Sequence, residues 1–247
     1  MLAIGNLRFE KGKVKICVPI MEESPEGVLE SGKKIREASP DLVEFRVDAL
    51  HTEDQTVLSD TLVKLQEKIG FCPIICTVRT AKEGGLFTGS DEEYENLCKA
   101  LIEIPQTAAI DVEATARPAV AKEIIETAET LKKVVIASNH DFTKVPETDE
   151  IVRRLSDMAA LHADVVKCAY MPQNEADVER LKEAGERFHS EWKDFPLILI
   201  AMGEIGMESR IKAAEFGSVL TFASVGNASA PGQIPVEKLR NLWEKEA

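Results

Sequence analysis

Eight short runs rich in β-branched residues alternate with helical segments along this sequence, and the alternation predicts an α/β protein with a (β/α)8 TIM barrel. The runs recur about every 30 residues, and the chain of 247 residues has the length of one such barrel. We therefore expect one domain over residues 1–247. The predicted strands span residues 15–20, 42–48, 73–79, 108–113, 134–140, 164–170, 196–202 and 218–224.

The sequence favours a closed barrel over an open sheet, and it predicts a β-hairpin ahead of the barrel. No glycine-rich dinucleotide-binding turn follows the first predicted strand, as an open nucleotide-binding sheet would require. Ahead of that strand, LAIGNLRF-EKGK-VKIC predicts a β-hairpin that turns at EKGK. We expect this hairpin to plug the amino-terminal end of the barrel.

The helical segments between the predicted strands have recognisable ends. Ser24 precedes a first-turn proline, and Ser90 with Glu93 has the spacing of a capping box. Gly217 stands where a helix would end before the last strand. These signals predict continuous β–α units without a linker.

Composition narrows the classes of partner and compartment. The formal charge of −13 at pH 7 disfavours nucleic acid and anionic membranes, because binding them requires a basic surface. The apolar runs are too short to span a bilayer, and the first residues lack the pattern of a secretory signal. Five cysteines without a CxxC pair fit a reducing compartment. We therefore expect a cytoplasmic protein.

Charged residues follow one side of several predicted strands. Because side chains alternate along a strand, Glu44, Arg46 and Asp48 should line the barrel lumen while Phe45 and Val47 face the helices. A structural salt-bridge network is one interpretation of this pattern. The other interpretation is that these residues form a functional site. Buried charges are costly unless they are well paired, so many of them in one lumen suggest that the protein uses them. The same alternation places in the lumen Thr77, Arg79, Asp111, Glu113, Ser138 and His140.

Lys167 is centred in the sixth predicted strand, between Val166 and Cys168. Loss of hydration there, and nearby cations such as Arg46, would favour the neutral amine, which can attack a ketone. A lysine that snorkels at a strand end or pairs with Glu44 is the structural alternative. The functional interpretation predicts a Schiff-base lysine.

His140 ends the fifth predicted strand, so it should neighbour Lys167 around the barrel. Beside a Schiff base, an imidazole can remove a proton from the adjacent carbon near pH 7. The other histidines, His51, His162 and His189, lie in predicted loops or helices without metal-ligand spacing. We therefore expect an acid–base histidine and no metal site.

Glu83 follows the third predicted strand in the segment RTAKEGG. A carboxylate at this strand end could orient His140 and stabilise its charged form. A solvated loop glutamate is the alternative that the residues leave open.

Two further loops predict a site for a small anion. Arg210 follows the seventh predicted strand, and Ser229 and Gln233 follow the eighth. In barrels these loops often bind phosphate, but a bidentate arginine with neutral donors also suits a carboxylate. The residues alone therefore predict a Schiff-base barrel that acts on a small anion.

Six segments resemble, in order and position, the type I 3-dehydroquinate dehydratase family of the shikimate pathway: EFRVD, RTxxEGG, SNHDF, VVKCA, MGxxGxxSR and SAPGQ. The resemblance covers nearly the whole chain. It implies a cofactor-free hydro-lyase that converts 3-dehydroquinate to 3-dehydroshikimate. It also implies a homodimer. Because one helix follows the eighth predicted strand, we expect no fused dehydrogenase domain.

The resemblance implies a role for each candidate residue. Lys167 would form an iminium with the C3 ketone, and His140, supported by Glu83, would remove a C2 proton and then protonate the leaving C1 hydroxyl, giving syn elimination. The loop at about residues 226–233 would close as a lid. The other implied contacts are Glu44, Arg46 and Arg79 to the ring hydroxyls, Arg210, Ser229 and Gln233 to the carboxylate, and Met202, with Phe142 and Phe222, as apolar walls.

One position departs from the family pattern. Pro19 stands where some relatives carry serine, so we expect no contact between the substrate and this position.

Two alternative functions remain. A class I aldolase would share the barrel and the lysine, but a phosphate-binding aldolase would favour backbone amides of a glycine-rich turn after the eighth strand. A catalytically inactive binding barrel would carry substitutions at the lumen positions, and the sequence has none.

Overall fold

The computed structural model describes residues 2–10, 12–226 and 229–246. The strands are β1 (Ala3–Ile4), β2 (Leu7–Arg8), β3 (Lys15–Ile20), β4 (Leu42–Arg46), β5 (Ile74–Thr77), β6 (Thr107–Glu113), β7 (Val134–Asp141), β8 (Val165–Tyr170), β9 (Leu197–Ala201), β10 (Leu220–Ser224) and β11 (Ile234–Pro235). The helices are α1 (Pro25–Ala38), α2 (Gln55–Ile69), α3 (Asp91–Glu103), α4 (Pro118–Thr130), α5 (Thr148–Ala160), α6 (Glu175–Glu191), α7 (Glu208–Ile211) and α8 (Val236–Glu246). Short 3-10 turns span Val47–Leu50 and Ala81–Glu83. Within these described residues, none of the helices has the length and apolarity that crossing a membrane requires.

Strands β3 to β10 form the predicted (β/α)8 barrel. Consecutive strands from β3 to β9 pair in parallel, and β10 pairs with β3. The ring closes between β9 and the residues before β10, where Val219 N donates to Leu197 O at 2.9 Å. Ser218 Oγ accepts a further hydrogen bond from Leu199 N at 2.9 Å. The barrel prediction is confirmed.

The N-terminal hairpin is present, but its turn lies elsewhere than predicted. Strands β1 and β2 pair antiparallel around Gly5, whose φ of +57° suits glycine in a tight turn. In the segment predicted as the turn, Lys13 N donates to Glu10 O at 3.1 Å ahead of β3, and Lys11 lies outside the described residues. Ile4 and Phe9 pack inside the barrel with Leu42. The hairpin therefore plugs the amino-terminal end of the barrel.

Two of the three predicted helix signals are confirmed. Ser24 Oγ accepts from Gly27 N at 3.1 Å at the start of α1, and Ser90 with Glu93 forms the capping box of α3. The prediction for Gly217 is wrong, because α7 ends at Ile211 and turns occupy the residues before β10.

The barrel lumen has two halves that follow from strand alternation. Towards the amino-terminal ends, the inward side chains are apolar and form one buried cluster with the hairpin. Two residues further along several of the strands, the inward side chain is polar or charged, as at Glu44 after Leu42 and at Lys167 after Val165. This change creates a buried polar layer at the carboxyl-terminal end of the barrel.

Candidate active site

The structure brings together every residue that the sequence singled out for catalysis or substrate binding. They line one cavity at the carboxyl-terminal ends of the strands. The cavity lies directly above the buried polar layer. Its predicted members are Glu44, Arg46, Arg79, Glu83, His140, Lys167, Met202, Arg210, Ser229 and Gln233.

Lys167 is buried on β8 and lies in an ion pair. Its side-chain amine is 2.9 Å from Asp111 Oδ2 and 3.8 Å from Glu44 Oε1. The Phe222 ring lies beneath it, with the ring centre 4.4 Å from Nζ. The surroundings of Lys167 are thus less apolar than the strand sequence suggests, because two carboxylates lie near its amine. Asp111 is the closer of the two. An adjacent carboxylate can balance positive charge on this nitrogen.

Asp111 joins the lysine to an arginine. Its Oδ1 accepts hydrogen bonds from Arg79 Nη2 at 2.7 Å and from Ser138 Oγ at 2.6 Å. Burial alone would raise the pKa of Asp111, but the charges of Arg79 and Lys167 outweigh burial and hold that pKa well below its usual range. Asp111 is therefore a permanent anion in this site.

Arg79 is surrounded by carboxylates. Besides Asp111, its guanidinium lies 3.2 Å from Glu113 and 3.9 Å from Glu83. Burial opposes the charge of Arg79, but these three acids hold its pKa well above the usual value. Because both terminal nitrogens donate to protein acceptors, Arg79 supplies the cavity chiefly with positive charge.

Arg46 is held by Asp48 in a bidentate pair, with Nε and Nη2 at 2.9 and 2.7 Å from the two carboxylate oxygens. Asp48 also accepts from the backbone N–H groups of Arg79 and Leu86. This carboxylate therefore ties the end of β4 to the loop after β5, which carries Glu83.

Glu83 and His140 form a hydrogen-bonded pair at the edge of the cavity. Glu83 Oε2 accepts from the His140 backbone N and lies 2.9 Å from His140 Nδ1. An ionised carboxylate only accepts hydrogen bonds, so the ring proton belongs on Nδ1 and Nε2 keeps its lone pair. The pair thus selects the tautomer in which Nε2 can accept a proton.

Electrostatics favour the neutral form of this imidazole. Burial, together with the charges of Arg79 and Lys167, lowers the pKa of His140 well below its usual value. Burial and the charge of Glu113 raise the pKa of Glu83 to about 7. At neutral pH the imidazole is uncharged and available as a base, while Glu83 is close to its own protonation.

Arg210 is an unpaired cation among the described residues. It is 1% exposed, and within the described residues its terminal nitrogens donate only to the carbonyl oxygens of Phe222 and Pro231, at 3.3 and 3.2 Å. Its Nε has no partner in the described part of the chain. Burial lowers the pKa of Arg210 to about 10. A buried guanidinium without a carboxylate is suited to bind an anion.

Neutral donors lie beside Arg210, after β10. Gln233 Nε2 donates to Ser229 Oγ at 3.0 Å, and Ser229 N donates to Gln233 Oε1 at 2.9 Å. Of the predicted lid, Asn227 and Ala228 lie outside the described residues. The loop closes against the end of β9, where Gly203 N donates to Pro231 O.

Apolar side chains complete the wall of the cavity. Met202 and Phe222 are buried, whereas Phe142 is 38% exposed. The Phe142 ring packs on Gly84, where a Cβ atom would lie 2.2 Å from the ring. Gly84 therefore lets an aromatic ring lie directly beside Glu83.

The part of the chain that the structure describes contains no group of three acidic, histidine or cysteine side chains arranged to hold a metal ion.

Sequence reasoning missed several contacts of these groups. Strand alternation placed Asp111 and Glu113 in the lumen, but it did not indicate which cation each would approach. Asn139 was missed because alternation turns it away from the lumen, yet its Nδ2 donates to Glu83 Oε1 at 3.1 Å. Its position between Ser138 and His140 was the available signal.

Known proteins resemble the chain along nearly its whole length. The family model described as type I 3-dehydroquinase matches residues 16–245. The 3-dehydroquinate dehydratase of Enterococcus faecalis is 36% identical over 96% of this chain and 94% of that protein. The protein of the same name from Bacillus velezensis is 37% identical over 98% of this chain and 96% of that protein.

Solved structures agree with the sequence comparisons. A crystal structure of type I 3-dehydroquinate dehydratase from Clostridium difficile, with covalently modified comenic acid, has a TM-score of 0.94 and 35% identity, covering 99% of this chain and 97% of that chain. The Geobacillus kaustophilus 3-dehydroquinate dehydratase structure has a TM-score of 0.94 and 28% identity, covering 99% and 95%. The chain therefore belongs to the type I 3-dehydroquinase family of hydro-lyases.

Proposed function

We propose that this enzyme converts 3-dehydroquinate to 3-dehydroshikimate by syn elimination of water, through a Schiff base on Lys167 and with His140 as the acid and base. The observation that carries the proposal is one cavity lined by a buried lysine amine, an imidazole with Glu83 at its Nδ1 atom, and a buried arginine that has no carboxylate partner among the described residues. These groups match a nucleophile, a proton acceptor and an anion site.

The first step is condensation of Lys167 with the C3 ketone. The amine adds to the carbonyl carbon, and loss of water from the carbinolamine gives a protonated iminium. The amine attacks through its lone pair, so a proton on that nitrogen passes to solvent first, and the carbinolamine hydroxyl takes up one proton as it leaves as water, which places the positive charge on the iminium. Asp111, 2.9 Å from Nζ, accepts the iminium N–H and balances its charge.

The second step is removal of the C2 proton. The iminium draws electrons from the C2–H bond, His140 Nε2 accepts the proton, and an enamine forms. Glu83 holds the Nδ1 proton at 2.9 Å and stabilises the resulting imidazolium. A positioned general base of this kind typically accelerates proton transfer by about 10²- to 10⁴-fold.

Elimination then uses the same imidazole. The enamine electrons expel the C1 hydroxyl, which leaves as water after taking the proton from His140. A proton taken and returned by one group on one face gives syn stereochemistry. Hydrolysis of the conjugated iminium releases 3-dehydroshikimate and restores Lys167.

The substrate carboxylate is proposed to bind Arg210, with Ser229 and Gln233 as neutral donors. A net charge of −13 repels anions at long range, so binding requires a local uncompensated cation, which Arg210 supplies. The Ser229 backbone N–H already donates to Gln233, an arrangement that favours side-chain donors over the amide turn of a phosphate-binding aldolase.

The remaining members of the cavity are proposed to bind the ring. Glu44 accepts from Thr77 Oγ1 at 2.9 Å and has a second oxygen for a ring hydroxyl, while Arg46 and Arg79 set the local charge. Met202 forms the apolar wall. The loop of residues 226–233 is proposed to close over the bound substrate.

We also propose that the enzyme acts in the cytoplasm as a homodimer and needs neither metal nor cofactor. The family resemblance supports the dimer, and the chemistry of the iminium, which is itself the electron sink, supports the lack of a cofactor. Analytical ultracentrifugation and assay after chelation test these two statements.

The reaction is tested by mixing purified protein with 3-dehydroquinate and following the ultraviolet absorbance of a conjugated enone. We expect a rise that reaches equilibrium and scales with enzyme concentration. No enone above the rate without protein would contradict the dehydratase function.

A further inference from the structure

Asn139 lies immediately before His140 on β7, and its side-chain oxygen makes its contacts on the other side of the strand. It is 6% exposed. Its side-chain oxygen accepts from Arg154 Nη1 at 2.7 Å and from Tyr170 Oη at 2.8 Å. Its side-chain nitrogen donates to Glu83 Oε1 at 3.1 Å. The amide thus connects Glu83 to helix α5 and strand β8.

Arg154 determines which way this amide points. A guanidinium group donates hydrogen bonds and cannot accept them, so it requires the oxygen of Asn139 on its side. The nitrogen must then face Glu83, whose carboxylate is an acceptor. Arg154 is itself fixed by Glu150, whose Oε1 lies 2.8 Å from Arg154 Nε on the same helix.

The amide N–H stabilises the ionised form of Glu83, which other groups oppose. Burial and the charge of Glu113 raise the pKa of Glu83, whereas Arg79, Asn139 and the His140 backbone N–H lower it. The groups that face Glu83 are thus Arg79 on the β5 side, Glu113 from β6, and Asn139 and His140 from β7. With the pKa of Glu83 at about 7, loss of one donor changes its charge at neutral pH.

The imidazole depends on that charge. His140 also faces Arg79, Lys167, Asp111 and Arg46, but Glu83 is the acceptor at its Nδ1 atom. A protonated Glu83 would accept less strongly and would compete as a donor to Nδ1. The tautomer with its lone pair on Nε2 is therefore stable only while Glu83 is ionised.

We infer that Asn139, Arg154 and Tyr170 form a positioning relay that directs one amide N–H onto Glu83, keeps it ionised and thereby holds His140 in the tautomer needed for proton removal. The relay begins on the surface of helix α5, where the Arg154 side chain is 20% exposed. This inference rests on the proposed function of His140 as the base.

Replacing Asn139 by leucine tests the relay because leucine has a similar size and no donor. Glu83 should then protonate at higher pH, so the acidic limb of kcat/KM should move up by about one pH unit, and kcat at pH 7 should fall about tenfold, the scale of one hydrogen bond to a charged group. Activity should recover to within about twofold of the wild type near pH 9, where Glu83 ionises without help. Damage to the fold would not recover with pH.

Arg154→Met provides a second variant, at a position on α5 where the side chain is 20% exposed, with Arg153→Met as its matched control. Arg153 lies on the same helix and also pairs with Glu150, at 2.8 Å, but its side chain is 59% exposed, and its partners within the described part of the chain are Glu150 and Asp157. We expect a shift of the acidic limb in the same direction as Asn139→Leu for Arg154→Met, and the wild-type profile for Arg153→Met.

Nitrogen-15 NMR of the histidines separates this inference from the proposed function, because it needs no substrate. The wild-type signal of His140, assigned with His140→Gln, should report an Nδ1-protonated neutral ring at pH 7, and Asn139→Leu should reduce that tautomer. Unchanged tautomer populations and pH profiles in Asn139→Leu and Arg154→Met would overturn the relay. A changed tautomer in a protein that forms no enone would support the relay and contradict the dehydratase function.

Discussion

The two halves of the barrel lumen are built from the same strands but have opposite characters. Along β4, Leu42 belongs to the apolar half and Glu44 to the charged half, and along β8 Val165 and Lys167 repeat the change. The apolar half is closed by the hairpin through Ile4. The charged half opens into the cavity. Two residues along a strand therefore separate a layer that stabilises the fold from a layer for which we propose catalysis.

The charged layer is stable because its members share partners. Asp111 neutralises both Lys167 and Arg79, and Arg79 in turn contacts Glu113 and Glu83. Removing one member of such a network leaves a buried charge without compensation, which typically costs several kcal/mol. Arg210 differs from this pattern, because its only protein partners among the described residues are carbonyl oxygens. It is the cation that we propose binds the substrate carboxylate.

The largest expected effect comes from removing the lysine amine. Lys167→Arg keeps a positive charge beside Asp111 but cannot form a Schiff base under these conditions, so kcat should fall by about 10⁴-fold or more. Steady-state assays at 25 °C measure this loss, with circular dichroism to show that the variant is folded. Lys99→Arg, a change on the surface of α3, is the control and should retain wild-type activity. Appreciable turnover by Lys167→Arg would contradict covalent catalysis.

The second effect separates proton transfer from covalent attachment within the charged layer. His140→Ala should lower kcat by about 10²- to 10⁴-fold, the contribution of a general acid–base group, while still allowing a borohydride-trapped adduct on Lys167. Intact-protein mass spectrometry measures that adduct. An inactive variant that also cannot be trapped would assign His140 a further role in forming the iminium.

The third effect tests the apolar half. Ile75 is 1% exposed in the lower lumen, so Ile75→Ala should reduce the free energy of unfolding by about 2–5 kcal/mol through lost burial and a cavity. Activity at 25 °C should stay within about twofold of the wild type. Urea unfolding and steady-state assays make the comparison. A large loss of kcat in a folded Ile75→Ala protein would show that the two halves are not separable.

The smallest effect is a pH dependence of stability. Burial and the charges of Arg79 and Lys167 lower the folded pKa of His140, whereas an unfolded histidine titrates near about 6.5. Below that pH the unfolded chain binds a proton that the folded protein excludes, so stability falls as pH decreases. Between about pH 6.5 and 5.5, the wild type should lose about 1 kcal/mol more than His140→Gln in urea unfolding. Equal losses would contradict a lowered pKa.

Strand alternation and spacing were sufficient to predict the barrel and the cavity-lining residues that lie on its strands, whereas Met202 was implied only by the family resemblance. Both depend on local periodicity, and the inward direction of Glu44, Asp111 and Lys167 follows from it. The substrate could be predicted only from the resemblance to the family, because alternation and spacing indicate no more than a small anion. The turn of the hairpin was misplaced because two glycines, Gly5 and Gly12, both permit positive φ, and only packing of Ile4 in the barrel decides which turn joins paired strands.

The pairing of charges could not be predicted from the pattern. Asp111 and Glu44 are both within reach of Lys167 by alternation, and which lies closer depends on side-chain geometry across neighbouring strands. The contact between Asn139 and Glu83 was hidden for a related reason. It is made by a side chain that faces away from the lumen and by a loop whose path is set by Asp48.

The proposed covalent intermediate is attached to Lys167, in the charged half of the lumen. To test it, the enzyme is treated with 3-dehydroquinate and borohydride and digested, and the added mass is located by tandem mass spectrometry. We expect one reduced adduct per chain, on the peptide that contains Lys167. An adduct on another residue, or none while enone is formed, would contradict it.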